Sequence, residues 1–184
     1  NDFSTIYSYS SFRYNKNFFC YFNPRYKINN ENNKAIISNP SFIDLHDNIS
    51  GIGFENNWAT LQIGRGNENW GAGNETQLAL SHHSGAYDYF LLASDYGRIR
   101  VRYIHGFLEN VGNNINRFIT ARGFEWTNRK SLVIGFSETT IYSGENRSLD
   151  IGYLNPMSSH LEIEYNNRLN VYGNRNSNAV WQIH

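Results

Sequence analysis

The chain has 184 residues, with 16 Lys and Arg against 16 Asp and Glu, so its formal net charge is zero. With a pI near 7.2 no global field draws it to nucleic acid, and the length bounds it to one domain with a real core. The single cysteine, Cys20, excludes an internal disulfide and a cysteine-based zinc site. No run of about 18 apolar residues occurs, so a transmembrane helix is not expected. Aromatic residues make up 16% of the chain, as 13 Tyr, 12 Phe and 4 Trp. The mean hydropathy of −0.58 fits a soluble protein and a barrel alike, because only alternate residues of a barrel strand need be apolar.

Taken in chain order, period-two runs recur and no window sustains helical spacing. Ser4–Phe12 reads as a Tyr/Ser-rich strand. Asn17–Ile28 alternates Phe18, Cys20, Phe22, Tyr26 and Ile28 against Tyr21, Asn23, Arg25 and Lys27. Pro24 inside it points to an edge or a bulge. The Asn29–Asn33 cluster and 39–48 read as loop, since Asn tolerates left-handed backbone and bonds its own main chain. Gly51–Asn56 and Trp58–Arg65 form a hairpin, and a Gly/Asn-rich loop and a short strand, Gln77–Ser81, follow.

Tyr87–Ser94 and Arg98–Glu109 form a second hairpin through Tyr96-Gly97. Arg117–Thr127 and Ser131–Thr139 form a third around Asn128-Arg129-Lys130. His160–Asn166 and Ala179–His184 read as the last strands, with a second Asn cluster at Asn174–Asn178. The opening at Asn1 and the strand-like close at His184 lead us to expect a piece of something longer. The sequons at Asn48, Asn74 and Asn146 carry no weight at this asparagine content.

Charge returns inside these strands where a water-soluble core would want apolar residues. Arg98, Arg100 and Arg102 share one side of a strand, with Ile99, Val101 and Tyr103 on the other. In the same way His160, Glu162 and Glu164 oppose Leu161, Ile163 and Tyr165. Arg122 and Glu125 are three apart, so strict alternation separates them unless a bulge intervenes. A sheet with ionic and aliphatic faces needs two surroundings, which a membrane-spanning barrel supplies as lipid outside and water within. An ordinary half-exposed strand gives the same signal one strand at a time.

Few residues point to chemistry. Gly64–Gly73 lacks the helix and the Lys-Ser/Thr pair that a phosphate loop requires, so it reads as a structural loop anchored by Trp70. His82-His83 would point to opposite faces of a strand and find no third metal ligand. Glu125, Glu138, Glu162 and Glu164 allow a glycosidase carboxylate pair, but charged lumen residues give the same pattern. No G-x-S-x-G elbow occurs. The expectation is a protein that is not an enzyme and carries no cofactor and no metal.

From Leu61 onward the order of motifs resembles the Wzi-type capsule assembly family. The motifs are the Gly-rich turn Ile63–Gly73, the short strand Gln77–Ser81, and a hairpin with Arg122-x-x-Glu125 and Gly135-Phe136-x-Glu138. Leu154-Asn155-Pro156 and the Gly173–Asn178 turn follow, with Arg175 and Ser177 where that family usually has acidic residues. Residues 1–59 match none of its motifs.

The resemblance implies an all-β fold, an antiparallel up-and-down transmembrane β-barrel. Residues 1–184 would be one barrel segment of about ten strands, an incomplete portion of a larger barrel. It implies a non-enzymatic role in capsular or extracellular polysaccharide assembly or attachment at the bacterial outer membrane. The expected partners are that polysaccharide and outer-membrane lipid, with no nucleic acid. Arg98, Arg100, Arg102, Arg122, Glu125, Glu138, Glu162 and Glu164 are the candidates to line the lumen. A soluble β-sandwich or jelly-roll lectin, a general porin and a carbohydrate-active hydrolase are the alternatives.

Overall fold

The computed structural model describes residues 3–29, 48–70, 80, 85–112, 114–167 and 175–184. Eleven strands and two short helices are present among them. The strands are β1 (Phe3–Tyr7), β2 (Ser10–Tyr14), β3 (Phe18–Asn23), β4 (Arg25–Asn29), β5 (Ile49–Glu55) and β6 (Ala59–Gly66). There follow β7 (Tyr87–Asp95), β8 (Ile99–Val111), β9 (Ile115–Thr127) and β10 (Val133–Glu145). Helices α1 (Ile151–Leu154) and α2 (His160–Asn167) precede β11 (Arg175–Ile183). No helix among the described residues is long and apolar enough to cross a membrane, which leaves crossing by strands untouched.

Nine strands form one antiparallel up-and-down sheet in the order β11-β10-β9-β8-β7-β6-β5-β3-β2. The sheet does not close into a barrel: β11 and β2 stand at its two edges. The three expected hairpins are all present, as β5–β6, β7–β8 and β9–β10.

Both N-terminal strands expected as single runs are broken. Ser4–Phe12 splits at Ser8-Tyr9 and Asn17–Ile28 splits at Pro24, which has no N–H to donate to a ladder. Beyond these breaks β1 and β4 pair only with each other, joined to the main sheet where the Ser8 amide donates to the Pro24 carbonyl at 3.3 Å. Of Gln77–Ser81 only Leu80 is described, bridging Trp70. The expectations for His82-His83, 30–33, 39–47 and Gly173-Asn174 fall outside the described residues.

A larger correction concerns His160–Asn166, which is helical, not extended. Ser159 Oγ accepts the Glu162 amide at 3.2 Å, and Ser159-x-x-Glu162 has the spacing of a helix-capping pair. His160 and Ile163 are buried and Glu164 half-buried, while Leu161 and Tyr165 are exposed. Those are the positions of a one-sided helix. Over so few residues, alternation of charge and aliphatic carried no usable period.

Each face of the sheet has its own cover. One face, called front here, buries Trp70, Leu80, Tyr87, Tyr89, Leu91, Ile104, Ile119 and Ala121. Trp70 and Leu80, from the β6–β7 connection, fold down onto it. The other face, called back, buries Phe118 and Tyr142 beneath Tyr153 of α1 and Ile163 of α2. The Tyr142 and Tyr153 rings lie 4.4 Å apart at 8°, an offset stack that adds to simple area burial. Over β2–β7 the back face is uncovered. Phe12, Phe18, Phe22, Ile52, Leu61 and Ile63 are each 44–64% exposed there.

Candidate functional site

Two adjacent cross-strand rows meet on the front face. One runs Ala93–Arg102–Gly123–Ser137–Gln182 and the other Asp95–Arg100–Glu125–Gly135–His184. Residues directly opposite in such rows bring their side chains within contact range, and each row contains one glycine. The Trp70 ring lies over Gly123, and the His184 ring lies over Gly135 so closely that a Cβ there would fall within it. The two absent side chains make room for these rings, and between them lies a cleft of about 140 Å³, lined by Asn69, Trp70, Arg100, Arg102, Ser137 and His184 among others.

The charges of the cleft are unequally committed. Arg100 Nε lies 3.2 Å from Asp95 Oδ2, and His184 Nε2 lies 3.5 Å from Glu125 Oε1. Arg102 is exposed and makes no ion pair among the described residues. Deeper in, the Trp70 indole nitrogen, the Ser137 hydroxyl and the His184 Nδ1 are buried without a hydrogen-bond partner. Buried polar atoms are ordinarily paired, because an unmet group forfeits its hydration. All three unmet groups line the one cleft, and Oε1 of Gln182, opposite Ser137, is unmet as well.

The back face carries a different arrangement. Glu138, 2% exposed, lies directly opposite Arg122 across β9 and β10, with Arg122 Nε and Glu138 Oε2 3.3 Å apart. That contact is an ion pair without hydrogen-bond alignment, since Nε of Arg122 counts among the unpartnered atoms. Glu138 itself is well satisfied: the Trp181 indole donates at 2.9 Å and the His160 amide at 3.1 Å. Arg122 also donates to the Asn155 carbonyl at 3.4 Å. The Tyr153 hydroxyl donates to Glu164 at 2.7 Å. Burial first, and then the Glu164 carboxylate, hold that phenol well above the usual tyrosine range. Together these contacts fasten α1 and α2 to the sheet.

The eight candidate lumen residues therefore do not line one surface. Arg100, Arg102 and Glu125 gather on the front. Arg122 and Glu138 lie on the back, separated from them by the sheet, because β9 and β10 pair without a bulge and strict alternation holds. The register shift present lies between β8 and β9, at Phe107/Glu109. Arg98 sits in the β7–β8 turn, and Glu162 and Glu164 lie on α2. Glu125 and Glu138, on opposite faces, cannot flank one glycosidic bond, which removes that pairing from the four glutamates. Ser137 and His184 were not legible as site residues. Their only signal was the glycine one strand across from each. Comparison with protein-family models, with curated proteins and with solved structures found no significant match.

Proposed function

We propose that this chain is part of an outer-membrane β-barrel with a non-enzymatic role, holding or assembling capsular or other extracellular polysaccharide at the surface of a Gram-negative bacterium. The observation that carries this reading is the bare apolar back face of β2–β7. Isolated exposed apolar residues are ordinary, but a contiguous field of them on one side of a single-layer sheet calls for a partner. Hydrocarbon is such a partner for strands, and the opposite face of β5 and β6 is small or polar, with Gly51, Gly53, Gln62 and Gly64.

The connections add support. Short links at 15–17, 56–58, 96–98 and 128–132 join strands at one end of the sheet, while at the other the long connections between β6 and β7 and between β10 and β11 alternate with the three-residue link 112–114. Outer-membrane barrels have that asymmetry. The motif order from Leu61 to Asn178 supports the polysaccharide role.

A second reading, a soluble carbohydrate-binding domain, is favoured by one observation: α1 and α2 cover the back of β8–β11 as a water-soluble protein would. Ile63→Arg separates the two. In a lipid-facing strand an arginine near the midplane costs about 2–4 kcal/mol. Flotation with phospholipid vesicles should therefore fall in the variant while the parent chain floats and needs detergent in solution. A chain that stays monodisperse in plain buffer, indifferent to Ile63→Arg, overturns the membrane reading in favour of the soluble one.

A further inference from the structure

We infer that the front-face cleft beside Trp70 is a binding site for a single carboxylate-bearing sugar unit, a uronate, with Arg102 as the carboxylate anchor. Naming a sugar rests on the polysaccharide reading above; the rest follows from the cleft itself. Arg100 and His184 already face Asp95 and Glu125, so Arg102 supplies one uncommitted cation at the rim. One guanidinium matches one carboxylate in fork geometry.

The interior narrows the ligand further. Ser137 offers a buried hydroxyl, Trp70 a buried indole N–H and His184 a ring nitrogen, all unpartnered, and Glu125 offers a carboxylate that only accepts. An anion without O–H groups, such as chloride or sulfate, has no hydrogen to give Glu125 and would be repelled by it. A polyhydroxylated monoanion can donate to Glu125 and accept from Ser137 and Trp70 with different hydroxyls. A cleft of about 140 Å³ equals roughly four or five water volumes, which suits one ring. The exposed rim leaves the glycosidic links free to run outward.

The test uses the full chain in whichever buffer or detergent keeps it monodisperse. Binding of sodium D-glucuronate, D-glucose and acetate is followed by saturation-transfer NMR and calorimetry. Glucuronate should bind well ahead of the other two. Arg102→Gln, at an exposed position, should weaken it about tenfold or more, as loss of a charge-assisted pair does. Ser137→Ala should weaken it severalfold, and Arg98→Gln in the neighbouring turn should leave it unchanged.

Equal binding of glucose and glucuronate overturns the inference, as does equal binding of acetate, an unaltered affinity in Arg102→Gln, or no binding at all. Vesicle flotation of the same preparations is read separately. A chain that floats but ignores glucuronate loses the cleft and keeps the membrane, and the reverse result does the opposite.

Discussion

Glu138 is the residue on which most of the back face converges. It is 2% exposed and serves Arg122, Trp181 and the amide that opens α2. A buried ion pair contributes little by existing, because desolvating two charges cancels most of their attraction. Breaking one is another matter, since the surviving charge is left in a low-dielectric surrounding. Glu138→Ala should therefore cost about 3–5 kcal/mol in urea unfolding. The double variant Arg122→Met/Glu138→Leu should recover most of that loss, because no lone charge remains. If the single and double variants unfold at the same urea concentration, the pair is not what holds this region. On the front face Arg100–Asp95 is exposed on both sides and belongs to the class of ion pairs that contribute little.

The hairpins show how short polar side chains set an element. Asn56 Oδ1 accepts the amides of Trp58 and Ala59 at 2.9 and 2.7 Å, and Asp95 Oδ1 accepts that of Gly97 at 2.6 Å. Asn128 Oδ1 accepts three amides, from Lys130, Ser131 and Leu132, at 2.8 to 3.0 Å. Each mimics a turn of backbone and answers donors that the ladder cannot reach. Gly97, at φ +80°, stands where a Cβ would be strained. Asn128→Ala should destabilise the β9–β10 hairpin by about 1 kcal/mol, read as a lower unfolding midpoint. Asn128→Asp keeps the acceptor and should remain near the parent.

Across the whole molecule, protection is unequal. Strands β8, β9 and β10 have thirteen residues each, are paired on both sides and are covered on both faces along part of their length. Strand β2 pairs only with β3, and all five of its residues are exposed. Local opening follows such differences in burial and pairing. Hydrogen exchange should be slowest in β9 and fastest in β2, grading across the sheet in strand order. Uniform exchange from β2 to β9 would mean that something covers the free edge and the bare apolar face in solution. Unpaired edges are also where such sheets associate, so added salt or detergent should be screened before the exchange is read.

The sequence alone determined most of the strands, the three hairpins and their turns, because period-two patterning and Asn, Asp and Gly chemistry act over a few residues. It placed Arg100 and Arg102 opposite Ile99 and Val101, and the structure keeps them there. It misread His160–Asn166, where the Ser159-x-x-Glu162 cap was the better signal than alternation. Only the tertiary structure decided what covers each face. Period two sorts side chains onto two sides of a strand but carries no information about what packs against either. That is why Arg122 and Glu125, three residues apart, end in unrelated surroundings, one under α1–α2 with Glu138 and the other beside His184. The cleft likewise depends on Trp70 being returned over Gly123 by a long connection, a contact between residues 53 positions apart that no local pattern encodes.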